Sequence, residues 1–201
     1  MSAISVHSTN SHFTHQDFER LGTEIETDWY GSKLDKAPKY FFTLSETHLH
    51  FWAGQKGLAG SHHPTAQPGQ FHAELWRFDV AEFFLTSPNS SHYLEFNLSP
   101  NGAWWSCAFE APRVAASGNP QAIPGVTTES QQTSSSWWAH AAIPRAWLEQ
   151  HLGLGPDSHL NATFILNSPD QLFATASDLG DGEPNFHRPE KFPRIDSRSL
   201  A

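Results

Sequence analysis

Three stretches of alternating apolar and polar residues lie in the middle of the chain and predict three consecutive β-strands. These strands are expected at about Asp79–Thr86, His92–Leu98 and Ala103–Phe109, because a period of two is typical of strands with one buried face. The residues Ser87–Ser91 predict the first turn. Ser99–Gly102 predicts a tight hairpin, because Asn-Gly accepts the positive φ that such turns need.

The alternation also divides the side chains of two strands between two faces. The set expected to be buried is Leu94, Phe96 and Leu98, together with Ala103, Trp105, Cys107 and Phe109. The opposite set is Tyr93, Glu95 and Asn97, together with Trp104, Ser106 and Glu110. We expect this second set to be exposed, since a sheet with one buried face leaves the other in water. Carboxylates, an amide and aromatic rings form an unusual face to expose.

The remaining pattern completes an all-β architecture. Further strands are predicted at Glu19–Tyr30, Lys39–Leu44, Thr47–Ala53, Pro112–Ala116, Trp137–Ile143, Leu160–Asn167, Gln171–Ala176 and Phe192–Asp196. One short helix, about Arg145–Leu152, is expected to begin after Pro144 and to stop at Gly153. Loops are expected at Gly54–Gln70 and Glu110–Ser136, and residues 1–14 are expected to be flexible. The whole pattern predicts an antiparallel β-sandwich that forms a single domain over residues 1–201.

Composition excludes several classes of function. The net charge is -9 and only 16% of the residues are charged, so the chain lacks the basic face that nucleic-acid binding needs. The N-terminus has neither the basic nor the apolar region of a secretory signal, and no apolar run reaches the ~18 residues of a membrane span. A cytoplasmic protein without a membrane segment is therefore expected, and no feature indicates its oligomeric state.

The sequence contains no catalytic signature, so we do not expect an enzyme. It has no G-x-S-x-G, P-loop, G-x-G-x-x-G or H-E-x-x-H motif. Glu82 and Glu95 lie on adjacent predicted strands, and paired carboxylates of this kind also occur in glycosidases.

Tryptophan carries more information, because eight Trp residues cannot all lie in the core of 201 residues. The adjacent pairs Trp104-Trp105 and Trp137-Trp138 lie on strands, so the members of each pair must point to opposite faces. One member of each pair therefore faces outward or is covered by a loop such as Gly54–Gln70. An outward aromatic ring beside carboxylates and amides is typical of a sugar site, because sugars have flat apolar faces with polar rims.

Several motifs together resemble the family 9 carbohydrate-binding module and, more broadly, the DOMON-like superfamily. They are L-W-x-x-D-V-A-E-F-F-L, Y-L-E-F-N-L-S-P-N-G-A-W-W, W-W-A-H-A-A-I-P-R-A-W-L, N-A-T-F-I-L-N and N-F-H-R-P-E-K-F. The resemblance covers about Tyr40 to Ile195 and implies an antiparallel β-sandwich that binds saccharides. It also implies a non-catalytic domain that clamps a small or terminal sugar between two tryptophans.

The resemblance implies a set of ligand-binding residues. Trp76 and Glu82 match its W-x5-E motif, and Asn97 supplies an amide. The second Trp of the clamp has no equivalent in Gln171–Asp178, and Trp104 or Trp138 is expected to replace it. In the closing N-F-H-R-P-E-K-F motif, the guanidinium of Arg188 or the ring of His187 either donates to the sugar or fastens the C-terminal segment to the sheet.

Three alternatives remain open at this point. The sandwich could be a scaffold or interaction domain without a sugar ligand, since fold does not fix function. DOMON-like domains include haem-binding members, for which His140 and His187 would be the ligands. Structural calcium, common in such sandwiches, would be held by Asp178, Asp181 and Glu183, whose loop offers hard oxygen ligands.

Overall fold

The computed structural model describes residues 3–8, 13–57, 60–86 and 91–199. In chain order the strands are β1 (Ile4–Ser8), β2 (Thr23–Glu24), β3 (Pro38–Leu44), β4 (His48–Lys56), β5 (Val80–Thr86), β6 (Tyr93–Leu98), β7 (Trp104–Ala111), β8 (Val114–Ala115), β9 (Thr127–Gln132), β10 (Ser136–Pro144), β11 (His159–Leu166), β12 (Leu172–Thr175) and β13 (Ile195–Ser199). The helices are α1 (His15–Leu21) and α2 (Arg145–Leu152), and single 3-10 turns span Leu75–Arg77 and Pro189–Lys191.

Within the described ranges the strands form two packed sheets. One has seven strands, with the order β13-β1-β3-β4-β10-β9 and β2 paired to β3. The other has six strands in the order β12-β11-β5-β6-β7-β8. The strand β1 pairs in parallel with β13 and β3, and the other pairings between named strands are antiparallel. The predicted all-β antiparallel sandwich is therefore confirmed.

A large apolar core lies between the two sheets. Phe83 of the six-stranded sheet stacks on Phe96 at a centroid distance of 5.2 Å and meets the edges of Phe42 and Phe51 from the other sheet. All four rings are fully buried. We call the face that each sheet turns to this core its inner face, and the opposite face its outer face.

Turn and helix chemistry behave as predicted at two places. The hairpin between β6 and β7 closes with a Gly102 N–H to Ser99 O hydrogen bond of 2.8 Å, and Gly102 has a φ of 83°. The helix α2 begins directly after Pro144 and ends at Gly153, which has a φ of 62°. Both glycines take the left-handed conformation that other residues adopt only at a cost.

The N-terminal region differs from its prediction. Residues 4–8, expected to be flexible, form β1 at the centre of a parallel pairing, with Ile4 and Val6 buried. Residues 1, 2 and 9–12 of the expected flexible segment lie outside the described residues, as do 58–59 of one predicted loop and 87–90 of the first predicted turn.

The predicted strand Glu19–Tyr30 is wrong over its first part, which belongs to helix α1. The helix begins with a capping box, in which the side chain of Thr14 accepts from Asp17 N–H while the Asp17 carboxylate accepts from Thr14 N–H. Such reciprocal bonds satisfy two of the donors that a helix start leaves free. Only Thr23–Glu24 then pairs as a strand.

The predicted loop Glu110–Ser136 contains two strands, the expected short β8 and the unexpected β9. The sequence of β9, TTESQQ, has no apolar alternation. It lies at the edge of the seven-stranded sheet and is mostly exposed. A polar edge strand carries no periodic signal, so sequence pattern could not distinguish it from a loop.

The strand register corrects the assignment of side chains to faces. Leu98 lies opposite Trp104, and Asn97 lies opposite Trp105. Residues directly opposite each other share a face, so Trp104 is on the inner face and Trp105 is on the outer face. The expectation that Trp104 is exposed is wrong, because its ring is buried and stacks on Phe96 at 5.5 Å.

The outer face of the six-stranded sheet is also buried, contrary to the sequence expectation. Tyr93, Glu95 and Asn97 of this face are all buried. Loops cover them through a second apolar cluster, in which Phe186 and Phe192 of the C-terminal segment take part. In the described part of the chain, no helix has the length and apolar content that a membrane span needs.

We expect Trp104→Ala to destabilise the fold by about 3–5 kcal/mol, because it truncates a large side chain in a close-packed core. Its indole N–H also donates to Gly69 O at 3.2 Å, and this acceptor would lose its partner. Urea unfolding followed by circular dichroism measures the change. The control is Trp76→Ala, in which the ring is 36% exposed. Equal losses in the two variants would show that Trp104 is not a core residue.

Candidate functional site

A cleft of about 390 Å³ opens on the outer face of the six-stranded sheet. Strands β5, β6, β7 and β11 contribute to its floor, and the loops around the sheet form its walls. The aromatic residues that line it are Trp76, Phe84, Trp105, Phe109, Phe173 and Phe186. The polar residues are Glu82, Glu95, Arg113 and His187. The cleft is thus an aromatic basin with a few convergent polar groups, as small-molecule sites usually are.

Two carboxyl groups lie in the floor, on neighbouring strands. Glu82 Oε2 accepts a hydrogen bond of 3.0 Å from Thr163, and Glu95 Oε1 accepts one of 2.8 Å from the Asn97 amide. Burial raises the pKa of Glu82 well above its ordinary range, and the charge of Glu95 raises it further. Burial raises the pKa of Glu95 to about 7. Burial therefore favours the protonated form of Glu82, while Glu95 is partly ionised near neutral pH.

A chain of hydrogen bonds fastens the C-terminal segment over this floor. The Arg113 N–H donates to the Tyr93 hydroxyl at 3.1 Å, and that hydroxyl lies 2.7 Å from His187 Nδ1. The Tyr93 oxygen accepts the Arg113 hydrogen bond, and its own O–H needs an acceptor, which the unprotonated Nδ1 of the His187 tautomer with its proton on Nε2 provides. Nε2 faces Glu95 Oε2 at 3.6 Å. Burial lowers the pKa of His187 to about 4, so the ring is neutral.

One wall of the cleft is formed by a pair of tryptophans. The rings of Trp76 and Trp105 meet at 64° with their centroids 5.1 Å apart. Trp76 lies on the 3-10 turn Leu75–Arg77, which follows Glu74 with its positive φ of 65°. Gln171 donates to the Trp76 carbonyl at 2.8 Å. The hydrogen bond from Gln171, which directly precedes β12, therefore holds the turn in place, and the Trp76 ring stays exposed at the rim of the cleft.

Two buried polar atoms beside the carboxyl groups lack partners among the described residues. They are the indole N–H of Trp105 and the side-chain oxygen of Asn97. Asn97 lies between Glu82 and Trp105 in the sheet register. Both atoms are buried and Asn97 does not line the cleft, so they add to the polar character beneath the floor and are not exposed to a ligand.

The structure brings together three of the six residues proposed as ligand-binding. Trp76 and Glu82 line the cleft, and Asn97 is the direct neighbour of Glu82. Trp104 is on the inner face of the same sheet. Trp138 lies on the outer face of the seven-stranded sheet, stacked on His15 at 4.6 Å. Neither Trp104 nor Trp138 can therefore form a clamp with Trp76.

Arg188 stabilises the loop of residues 178–183, which lies behind the cleft. Its guanidinium donates to Leu179 O at 2.7 Å and to Asp181 O at 3.2 Å, and lies 5.8 Å from the centre of the Trp29 ring. It is therefore paired with backbone carbonyls, and with neither Glu82 nor Glu95. Of the two expected roles, the contacts support fastening of the C-terminal segment.

The same loop holds the three carboxylates predicted to bind calcium, Asp178, Asp181 and Glu183. Asp178 accepts from Gly180 N–H at 2.8 Å. Over the described residues, no three His, Cys, Asp or Glu side chains come together in an arrangement that could hold a metal ion. The positive charge at this loop comes from the Arg188 guanidinium, which binds the carbonyls directly.

The two histidines suggested as haem ligands lie on opposite sides of the sandwich. His140 is on β10, where its ring stacks on Trp52 at 4.0 Å and lies 3.0 Å from His50. His187 lies over the outer face of the other sheet. The core between the sheets separates them, so they cannot bind one iron.

Sequence reasoning missed most of the residues that line the cleft, among them Trp105 and Arg113. Trp105 could have been found by pairing the strands, because the β6–β7 hairpin places it opposite Asn97. Arg113 had no such signal, since its position depends on a contact with Tyr93, twenty residues earlier.

Comparison with known proteins identifies the fold. No protein-family model matches the sequence, and no curated protein matches it. A candidate carbohydrate-binding protein of Bacteroides uniformis has a similar structure, with a TM-score of 0.71 and 14% identity over 98% of this chain and 99% of that one.

Two structures of a family 9 carbohydrate-binding module from Caldicellulosiruptor kristjanssonii are also similar. The complex with glucose has a TM-score of 0.60 and 11% identity over 100% of this chain and 97% of that one. The complex with cellotriose has a TM-score of 0.60 and 13% identity over 100% and 95%. The chain thus has the fold of a family 9 module, as the motifs implied, whereas the wider DOMON-like resemblance stays a prediction.

We expect Glu95→Gln to change the pH dependence of stability. The pKa of Glu95 is raised from 4.5 to about 7 in the folded state, so the folded protein keeps a proton that the unfolded chain loses in this range. The carboxyl group therefore destabilises the fold increasingly from about pH 4.5 to about pH 7, by up to ~3 kcal/mol. The glutamine variant has no titrating group at this position and therefore lacks this pH-dependent destabilisation. Its stability relative to the wild type should rise over that range and then level off.

The readout is the difference in unfolding free energy between variant and wild type, because His187 acts in the opposite direction. Its pKa is lowered from 6.5 to about 4. The neutral His187 ring therefore contributes its full share of the free energy of unfolding above about pH 6.5, and this share is lost as the pH falls through about 4. His187→Asn is the matched variant and should remove that second slope. A Glu95→Gln difference that stays constant between about pH 5 and pH 7 would refute the raised pKa.

Proposed function

We propose that this chain is a non-catalytic carbohydrate-binding domain, which holds a small saccharide or the terminal sugar of a longer one in the cleft. The observation that carries this proposal is the Trp76 ring, 36% exposed at the rim beside the buried Trp105 and close to two carboxyl groups. A large aromatic ring that is partly exposed at the mouth of a cleft is available to stack on a ligand.

The chemistry of the cleft fits a sugar. Indole faces pack against the apolar C–H face of a sugar ring, and side chains at the edge bond its hydroxyl groups. A hydroxyl both donates and accepts. The floor offers both kinds of partner, because burial favours the protonated form of Glu82, while Glu95 is partly ionised near neutral pH.

The size and shape of the cleft favour a short ligand. Its volume of about 390 Å³ is near the lower end of the range for small-molecule sites, roughly 300–1,000 Å³. Phe173 and Phe186 close it on the side of β12 and the C-terminal segment. One or two sugar rings at the end of a chain suit such a basin better than the middle of a long polymer.

The sequence contains no catalytic motif, and the solved structures of similar fold are described as carbohydrate-binding proteins. Both observations support binding over hydrolysis. The solved module of the same fold was crystallised with glucose and with cellotriose, which makes these two sugars the first ligands to test.

We expect Trp76→Ala to weaken sugar binding by about 2 kcal/mol or more, roughly thirtyfold, as truncation of a central aromatic contact does. The fold should be unaffected, because the ring is partly exposed. Isothermal titration with glucose and cellotriose, together with a melting curve, measures both effects.

The matched control is Trp138→Ala, which removes the same side chain from the outer face of the other sheet. It should leave the affinity unchanged. Binding that survives in Trp76→Ala, or that is lost equally in both variants, would contradict the site. Failure of the wild type to bind any sugar at millimolar concentration would favour a scaffold domain without a sugar ligand.

We expect Glu82→Gln to weaken binding by only about 0.5–1.5 kcal/mol, the value of a neutral hydrogen bond. Burial raises the pKa of Glu82 and so favours the neutral acid, and an amide replaces a neutral acid closely. The same titration measures this loss. A loss of ~3 kcal/mol, typical of a charged hydrogen bond, would show that Glu82 binds its ligand as a carboxylate.

A further inference from the structure

Arg113 lies at the rim of the cleft in a backbone conformation that arginine seldom adopts. It occupies the β7–β8 hairpin with a φ of 62°, in the left-handed region that is unfavourable for residues with a Cβ. Its N–H is held by the Tyr93 hydroxyl at 3.1 Å. Unfavourable backbone conformations of this kind persist where surrounding contacts fix them, and they are frequent at binding sites.

The guanidinium of Arg113 has a neutral partner. Its Nη2 donates to the side-chain oxygen of Asn185 at 3.1 Å. None of the ion pairs found between described residues includes Arg113. The hydrogen bond to the Asn185 amide orients the Arg113 guanidinium at the cleft without neutralising it, so its charge remains available to a ligand.

The other titratable groups around the cleft carry little charge below neutral pH. Burial raises the pKa of Glu82 and so favours its protonated form, raises the pKa of Glu95 to about 7, and lowers the pKa of His187 to about 4. Beside Glu95, burial raises the pKa of Tyr93 and of Cys107 to about 12 in each case, so both stay neutral. The cleft is thus cationic in slightly acidic solution, although the whole chain has a net charge of -9.

We propose that the sugar bound in the cleft is an acidic one, a uronate, whose ring packs on Trp76 and whose carboxylate is bound by the Arg113 guanidinium. This inference rests on the proposed function and adds the class of sugar. A guanidinium presents parallel N–H groups that match the two oxygens of a carboxylate. A neutral sugar would leave this charge without its best partner.

The test compares glucuronate with glucose, which differ at one carbon, by isothermal titration with the full chain. At about pH 6 glucuronate should bind about three- to tenfold more tightly, a range that allows for solvent screening of an exposed guanidinium. At about pH 8 the preference should shrink, because ionised Glu95 then repels the ligand carboxylate. A wild type that binds glucose as tightly as glucuronate at both pH values overturns the inference.

Variants separate a direct contact from general electrostatics. Arg113→Gln should reduce the ratio of the two affinities to about one, whereas Arg113→Lys, which keeps the charge but not the planar fork, should retain part of it. The control is Arg77→Gln. It removes an equal charge next to Trp76 in the chain, from a residue that is exposed and paired with Glu74 at 2.9 Å. Arg77→Gln should keep the full preference.

The outcomes are distinguishable. Loss of the preference in Arg77→Gln to the same extent as in Arg113→Gln would overturn the inference in favour of long-range attraction. Binding of glucose with no preference for glucuronate would refute the acidic sugar and leave the proposed function standing. Absence of binding by either sugar would contradict the proposed function itself.

Discussion

The structure depends on how the outer face of the six-stranded sheet is buried. Both faces of β5 and β6 are covered, and the outer face carries Glu82, Glu95 and Asn97 among aromatic rings. Burial of a carboxylate is unfavourable unless it is paired or loses its charge. Here the second solution dominates. The acids keep protons to a higher pH, and hydroxyl and amide donors bond them. A polar floor inside an apolar shell is the result.

The loops over this face are fixed by the polar groups beneath and beside them. His187 is hydrogen-bonded to the Tyr93 hydroxyl, which also accepts a hydrogen bond from the Arg113 backbone N–H. One phenol therefore positions both the C-terminal segment and the β7–β8 hairpin. Behind them, Arg188 binds the carbonyls of the 178–183 loop, and Trp29 donates to Gly182 O at 2.7 Å. The cleft is the space between these loops, each of which is fixed by hydrogen bonds.

The sequence predicted the sandwich well where periodicity or turn chemistry is local. The central strands, the Ser99–Gly102 hairpin and α2 follow from alternation, Asn-Gly and the Pro144–Gly153 boundaries. Strand β9 was missed because a polar edge strand has no period. Helix α1 was missed because its last residues overlap the alternating stretch Glu19–Tyr30, which predicted a strand. In the site, Trp76 and Glu82 came from one short motif. Arg113 depends on tertiary contacts that no local pattern records.

Burial changes the ionisation of the side chains at the cleft, and for this reason the class of ligand could not be inferred from composition. A net charge of -9 counts every Asp and Glu as ionised, which holds for exposed groups with ordinary pKa values. Burial invalidates that count at the cleft, since it favours the neutral form of Glu82 and of Glu95. An exposed guanidinium is unaffected by this. The local charge at the cleft can therefore be opposite in sign to that of the chain, and recognition depends on the local charge, because bulk charges at a distance are screened by salt.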